Sequence, residues 1–155
     1  MKIKTISFTL IALVAMAAAA WAADDAMMGT WKLNEAKSKI GPGAPKNNTV
    51  VYAAAGDQIK VTVDGTDAQG KSVHSEWTGK FDGKDYSVTG DATADTRSYK
   101  KEGKDALDMT NKKEAKVTST GKIVVSADGK TRTVTIHSTD AKGAKVTSTA
   151  FYDKS

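Results

Sequence analysis

From residue 28 to the C-terminus, apolar and polar residues alternate in one short run after another, and 17 Thr and 11 Val supply most of the β-branched side chains. Such residues suit a pleated surface with one face buried. The alternation predicts ten strands, over residues 28–34, 49–54, 58–64, 72–81, 84–89, 95–101, 106–112, 115–126, 130–138 and 144–153. No amphipathic helix interrupts them. The runs are joined by turns such as Asp64-Gly65, Asp67-Ala68-Gln69-Gly70, Asp82-Gly83, Asp128-Gly129 and Asp140-Ala141-Lys142-Gly143. Glycine reaches the positive φ of a tight hairpin, and Asp braces the turn against its own backbone. Links this short do not span a parallel crossover, so sequence neighbours should pair antiparallel. Residues 61–77 align with 134–150 at an offset of 73, matching at eight of seventeen places, which predicts two similar hairpins.

Residues 35–48 break the pattern. Gly41-Pro42-Gly43-Ala44-Pro45 holds both prolines of the chain, so a loop is expected, with a helical turn over 35–39. It is either a lid over a barrel mouth or an inert connection.

Reading faces by parity groups Trp31 with Leu33, Ile59 with Val61 and Val63, and Val73 with Ser75 and Trp77. It continues through Tyr86 and Val88, Leu107 and Met109, Ile123 and Val125, Val134 and Ile136, and ends with Val146, Ser148, Ala150 and Tyr152. Nearly every strand thus has one apolar face. A single open sheet would leave that face wet and two edges unpaired, and closure removes both problems. The expected fold is all-β: an antiparallel up-and-down meander barrel of 8–10 strands, closed by the first and last. Its inner residues, rich in Ala, Ser and Gly, fill such a volume incompletely, so an internal cavity is expected. A flattened barrel or sandwich filled by its aromatics is the alternative.

Composition and charge narrow the class. Lys2 and Lys4, the apolar run 6–20 and Ala20-Trp21-Ala22 have the form of a secretory signal cleaved before Ala23. The run is shorter than the roughly 20 residues of a bilayer span. Residues 1–22 are therefore read as a signal peptide and 23–155 as one domain, destined for the periplasm or secretion, without stable membrane insertion. There is no cysteine, which excludes disulfides, thiolate metal sites and cysteine nucleophiles. Past residue 22 the basic and acidic residues number 21 and 18, signs interspersed. That balance, with no basic stripe carrying aromatic partners, gives no nucleic-acid partner.

At Gly29-Thr30-Trp31-Lys32-Leu33-Asn34 the chain resembles the Gly-x-Trp opening strand of the lipocalin and fatty-acid-binding-protein (calycin) superfamily, and Thr149-Ala150-Phe151-Tyr152-Asp153-Lys154 resembles the closing strand of fatty-acid-binding proteins. It is also similar to small exported bacterial lipocalin-like proteins of unestablished function. The resemblance implies a barrel whose first-strand Trp plugs the closed end. Two departures stand out. The Arg of the family's carboxylate-binding Arg-x-Tyr corresponds to Ala150, leaving only Tyr152, and residues 35–48 are too short for the two helices that follow the first strand there.

The chemistry-bearing residues are few. Arg132 shares a face with Val134 and Ile136, which directs it inward, where a guanidinium over Trp31 gains roughly 0.5–2 kcal/mol. Trp31 and Arg132 are thus expected as a structural barrel plug. Arg97 shares a face with Tyr99. If that face is internal, Arg97, Tyr99 and Tyr152 form a clamp for an anionic head group; if external, Arg97 makes a surface cross-strand pair. His74 and Glu76 have metal-ligand spacing, with His137 as a conceivable third, but both histidines alternate against the apolar positions and should face solvent. No metal, cofactor or catalytic set is expected, and the protein is not expected to be an enzyme. The function expected is small-molecule binding: a monomer sequestering a small hydrophobic or amphipathic ligand, with Trp77, Tyr86, Arg97, Tyr99, Met109 and Tyr152 as ligand-binding residues. The alternative is an envelope or stress-related interaction protein with a side-chain-filled barrel and no ligand.

Overall fold

A computed structural model describes residues 25–140 and 142–155; the signal-peptide reading of residues 1–22 lies outside them. The chain forms β1 (Gly29–Leu33), a short 3-10 turn (Glu35–Lys37), β2 (Lys46–Ala55), β3 (Gln58–Thr66), β4 (Ser72–Gly79), β5 (Tyr86–Thr89), β6 (Thr96–Lys101), β7 (Ala106–Lys113), β8 (Lys116–Val125), β9 (Thr131–Thr139) and β10 (Lys145–Lys154). Every strand pairs antiparallel with its sequence neighbours, and β1 pairs with β10 through Trp31↔Lys154, Lys32↔Asp153 and Leu33↔Tyr152 to close the barrel. Closure leaves no unpaired edge among the described strands.

Every strand is shifted from expectation by one to three residues at one or both ends, and three of the differences from expectation have a visible local cause. β2 begins three residues early, because a bulge between Asn47 and Thr49 lets it continue pairing with β3. β4 ends at Gly79 rather than Phe81, whose ring turns back onto Trp77. The helical turn covers only Glu35–Lys37, where the Asn34 side chain accepts a bond from the Lys37 backbone N–H.

The two hairpins predicted to be alike share one loop design. Asp67 Oδ1 accepts from the N–H groups of Gln69 and Lys71, both at 2.9 Å, and Asp140 Oδ1 accepts from Lys142 at 2.9 Å and Ala144 at 2.8 Å. Gly70 and Gly143 stand at the same place in each, with φ of +78° and +83°, where a side chain would be strained. The β7–β8 turn lacks this chemistry: Glu114 and Ala115 both take positive φ, +49° and +62°.

The ends of the barrel are unlike. At one end, residues 25–28 fold across the opening: Met27 is fully buried, its carbonyl accepts a 2.8 Å bond from Trp31 Nε1, and Asp25 pairs with Lys101. At the other end the loop after β1 runs beside β10. Lys39 bridges Thr149, and the Gly41 N–H donates to Ser148 Oγ at 2.9 Å. A Cβ on Gly41 would lie 2.5 Å from Val146 Cγ1, so this loop rests against the rim of the inner wall.

Candidate functional site

The interior divides along the barrel axis. The half toward residues 25–28 is filled by an aromatic cluster. Trp77 lies edge-on to Tyr99 (4.8 Å between centroids) and Tyr86 (5.7 Å) and stacks on Phe81 (6.3 Å), while Tyr52 meets Phe81 and Tyr99. Such pairs each add roughly 0.5–1.5 kcal/mol beyond burial. Trp77 Nε1 donates to the Arg97 carbonyl at 2.8 Å, which satisfies the indole inside this cluster. Arg132, 2% exposed, lies among three rings, with its Cζ 5.0 Å from the Trp31 centroid, 5.1 Å from Tyr52 and 4.6 Å from Tyr152. Its Nε and one terminal nitrogen have no hydrogen-bond partner among the described residues, so the rings, not a carboxylate, receive this cation. Burial pushes the Tyr152 hydroxyl up to about 12 against the opposing pull of Arg132, and burial likewise raises Tyr99.

Of the six residues singled out for ligand contact, Trp77, Tyr99, Met109 and Tyr152 face inward and are between 1% and 8% exposed. Their surfaces rest on neighbouring side chains of the core. Tyr86 is half-buried, and its hydroxyl donates to Asp82 Oδ2 at 3.0 Å. Arg97 is internal, which settles the orientation left open by the sequence, and it does not share a clamp with Tyr152. Its Nε donates to Asn111 Oδ1 at 2.5 Å and a terminal nitrogen donates to Asp91 Oδ2 at 2.8 Å. Burial works against the guanidinium charge, but Tyr99 and Asp91 beside it hold its pKa above the ordinary value.

Toward the loop-bearing end the inner wall changes character. Leu33, Val134, Ile136 and Ala150 rest against the buried core yet stay partly exposed. They stand on the inner face by parity with buried Trp31, Arg132 and Tyr152, so solvent reaches an apolar wall inside the barrel. Above them lies a polar row that sequence reasoning missed. Arg97 is opposite Asn111, Asn111 opposite Ser119, and Ser119 opposite Ser138 on four successive strands. Asn111 Nδ2 donates to Ser119 Oγ at 2.9 Å. An open depression of about 470 Å³ over the ends of β8, β9 and β10 takes in Ser119, Ser138 and Val146 together with outward-facing Thr120, His137 and Thr147, so it straddles the rim of the barrel. One signal for the row was the two-residue spacing of Asn111 from Met109. The bulge between Asn111 and Lys112 obscures that spacing on the far side.

The histidines are on the outer face. His74 Nδ1 lies 2.6 Å from Asp64 Oδ1, and this bond raises its pKa; His137 is 3.0 Å from Thr147 Oγ1. Among the described residues no group of three or more His, Asp or Glu side chains is placed to hold a metal ion.

No family model and no curated protein matches this sequence. Two solved barrels are similar to it. One is a redesigned β-barrel, mFAP1, bound to DFHBI; it is 14% identical, with 89% of this chain and all of that one covered, at a TM-score of 0.43. The other is EF1p2_mFAP2b bound to DFHBI, 12% identical over 89% of this chain and 98% of that one, at a TM-score of 0.47.

Proposed function

We propose that this protein is an exported, monomeric, non-enzymatic carrier that takes up a small, mostly apolar molecule through the loop-bearing end of the barrel. The observation that carries the reading is the set Leu33, Val134, Ile136 and Ala150: apolar side chains on the inner wall that solvent reaches. Water against such a wall is displaced favourably, at roughly 25 cal/mol per Å² of apolar surface covered. The filled aromatic half provides a rigid floor, so little ordering is needed on binding. The contact surface shifts accordingly, from Trp77, Tyr99, Met109 and Tyr152 to the upper wall, with Arg97 reached only through the polar row. The leader read in residues 1–22 supports export, and the absence of a convergent catalytic set in the sequence supports a binding role.

Titration with Nile red, a neutral apolar dye, tests the reading. Saturable emission at one site is expected. Ala150→Phe, which places a bulky ring on this inner wall, should weaken it at least tenfold while leaving the far-UV circular dichroism unchanged. A dye response that does not saturate, or one that Ala150→Phe leaves intact, refutes it. A second reading, a filled barrel that meets an envelope partner through its outside, is favoured by the dense aromatic half and by Val117 and Val124, 58% and 43% exposed. It predicts no saturable dye binding.

A further inference from the structure

The polar row inside the upper barrel carries one full positive charge and has already matched it. Arg97 and Asp91 form an ion pair whose side chains are 8% and 18% exposed. Further guanidinium contacts go to Tyr99 and to Asn111, whose amide in turn holds Ser119. The other arginine, Arg132, is sealed among rings at the opposite end. What the row offers a molecule resting on the inner wall is therefore dipoles, the hydroxyls of Ser119 and Ser138 beside the Asn111 amide. An anion entering there would shed its hydration without an unmatched cation in the row to replace it, a cost that a hydroxyl or amide avoids by exchanging hydrogen bonds one for one.

Building on the carrier reading above, we propose that the ligand is an uncharged amphipathic molecule: its apolar body lies on Leu33, Val134, Ile136 and Ala150, and a neutral hydroxyl, carbonyl or amide meets Ser119 and Ser138. The Asp91–Arg97 pair acts as the selectivity element. It fixes Asn111 and Ser119 in place and, by neutralising Arg97, turns carboxylates away. A fatty alcohol and the fatty acid of equal length are thus distinguished at one end only, by the charge of the head group.

The test is displacement of Nile red by 1-dodecanol and by dodecanoate at pH 7.5, below their micellar or solubility limits. The alcohol is expected to bind at least tenfold more tightly. Dodecanoate binding as well as dodecanol overturns this inference and leaves the carrier reading standing; absence of Nile red binding overturns both. Asp91→Asn removes the counter-charge, and the preference for the alcohol should fall at least tenfold; an unchanged ratio in a variant with wild-type circular dichroism overturns the role of the pair. Ser119→Ala spares the charges and provides a second variant. It should weaken dodecanol several-fold and dodecanoate little, and equal losses for both overturn the assigned contact. If Asp91→Asn does not fold, the wild-type pair of ligands and Ser119→Ala decide the matter.

Discussion

Raising the pH should unfold this barrel from the inside, and Tyr152 sets the scale. The residue is 3% exposed, beside the Arg132 cage, and burial holds its hydroxyl pKa at about 12. In the unfolded chain a tyrosine titrates near 10. The folded value is the higher one, so the contribution is fully present below pH 10 and is lost as pH rises through 12, because the unfolded state releases its proton first. At 1.36 kcal/mol per unit the loss from this one residue is on the order of 3 kcal/mol, a sizeable part of the roughly 5–15 kcal/mol of a typical domain. Tyr99, raised for the same reason, adds in the same direction. The assay is urea unfolding at a series of pH values from 8 to 12, followed by circular dichroism, with tyrosinate absorbance recorded in parallel. Tyr152→Phe keeps the ring over Arg132 and removes the titrating proton, so its stability should fall less over that range, by on the order of 3 kcal/mol. Wild type and Tyr152→Phe declining in parallel would refute the reasoning.

Two further outcomes concern the wall itself. Glu114 and Ala115 hold left-handed backbone that costs roughly 1–2 kcal/mol for each side chain of this kind, so Glu114→Asn with Ala115→Gly should raise stability by about 1–2 kcal/mol in urea; no change would mean the turn is unstrained. Gly121 faces inward with Ile136 Cδ1 only 2.5 Å and Met109 Cε 3.2 Å from where a Cβ would lie. Gly121→Val should therefore cost roughly 1–3 kcal/mol by overpacking, measured by thermal unfolding, and a neutral result would show that Ile136 and Met109 move aside freely.

Strand number, order and closure were legible in the sequence because alternation with Asp-Gly turns is a local signal, and a ten-strand meander with one apolar face has little choice but to close. The inner faces of β7, β8, β9 and β10 were legible for the same reason. β2 was not assigned a face, since Val50-Val51-Tyr52 is apolar on both sides; the structure buries Val50 and Tyr52 and leaves Val51 half-exposed. The site was read less completely. Asn111, Ser119 and Ser138 have the parity of inward Met109, Ile123 and Ile136, but only their cross-strand pairing aligns them with one another and with Arg97 as a row, and loop residue Asp91 carries no such signal. Arg97 had the converse ambiguity: its strand carries charges on both faces, and the partner that admits it to the interior lies six residues away in a loop.

The seam between β1 and β10 joins residues at opposite ends of the chain, with Asn34 bonded to Asp153 across 119 positions. During synthesis, β1 therefore waits with one side bare until β10 has emerged. A nascent chain stalled before residue 145 would present two adhesive borders to its neighbours, so the step most exposed to misassembly is the last one. The same proximity of the two terminal ribbons makes the molecule suited to circular permutation: a short tether across the seam, with new ends cut at the Asp128-Gly129 turn, would turn the slowest pairing in the barrel into a hairpin.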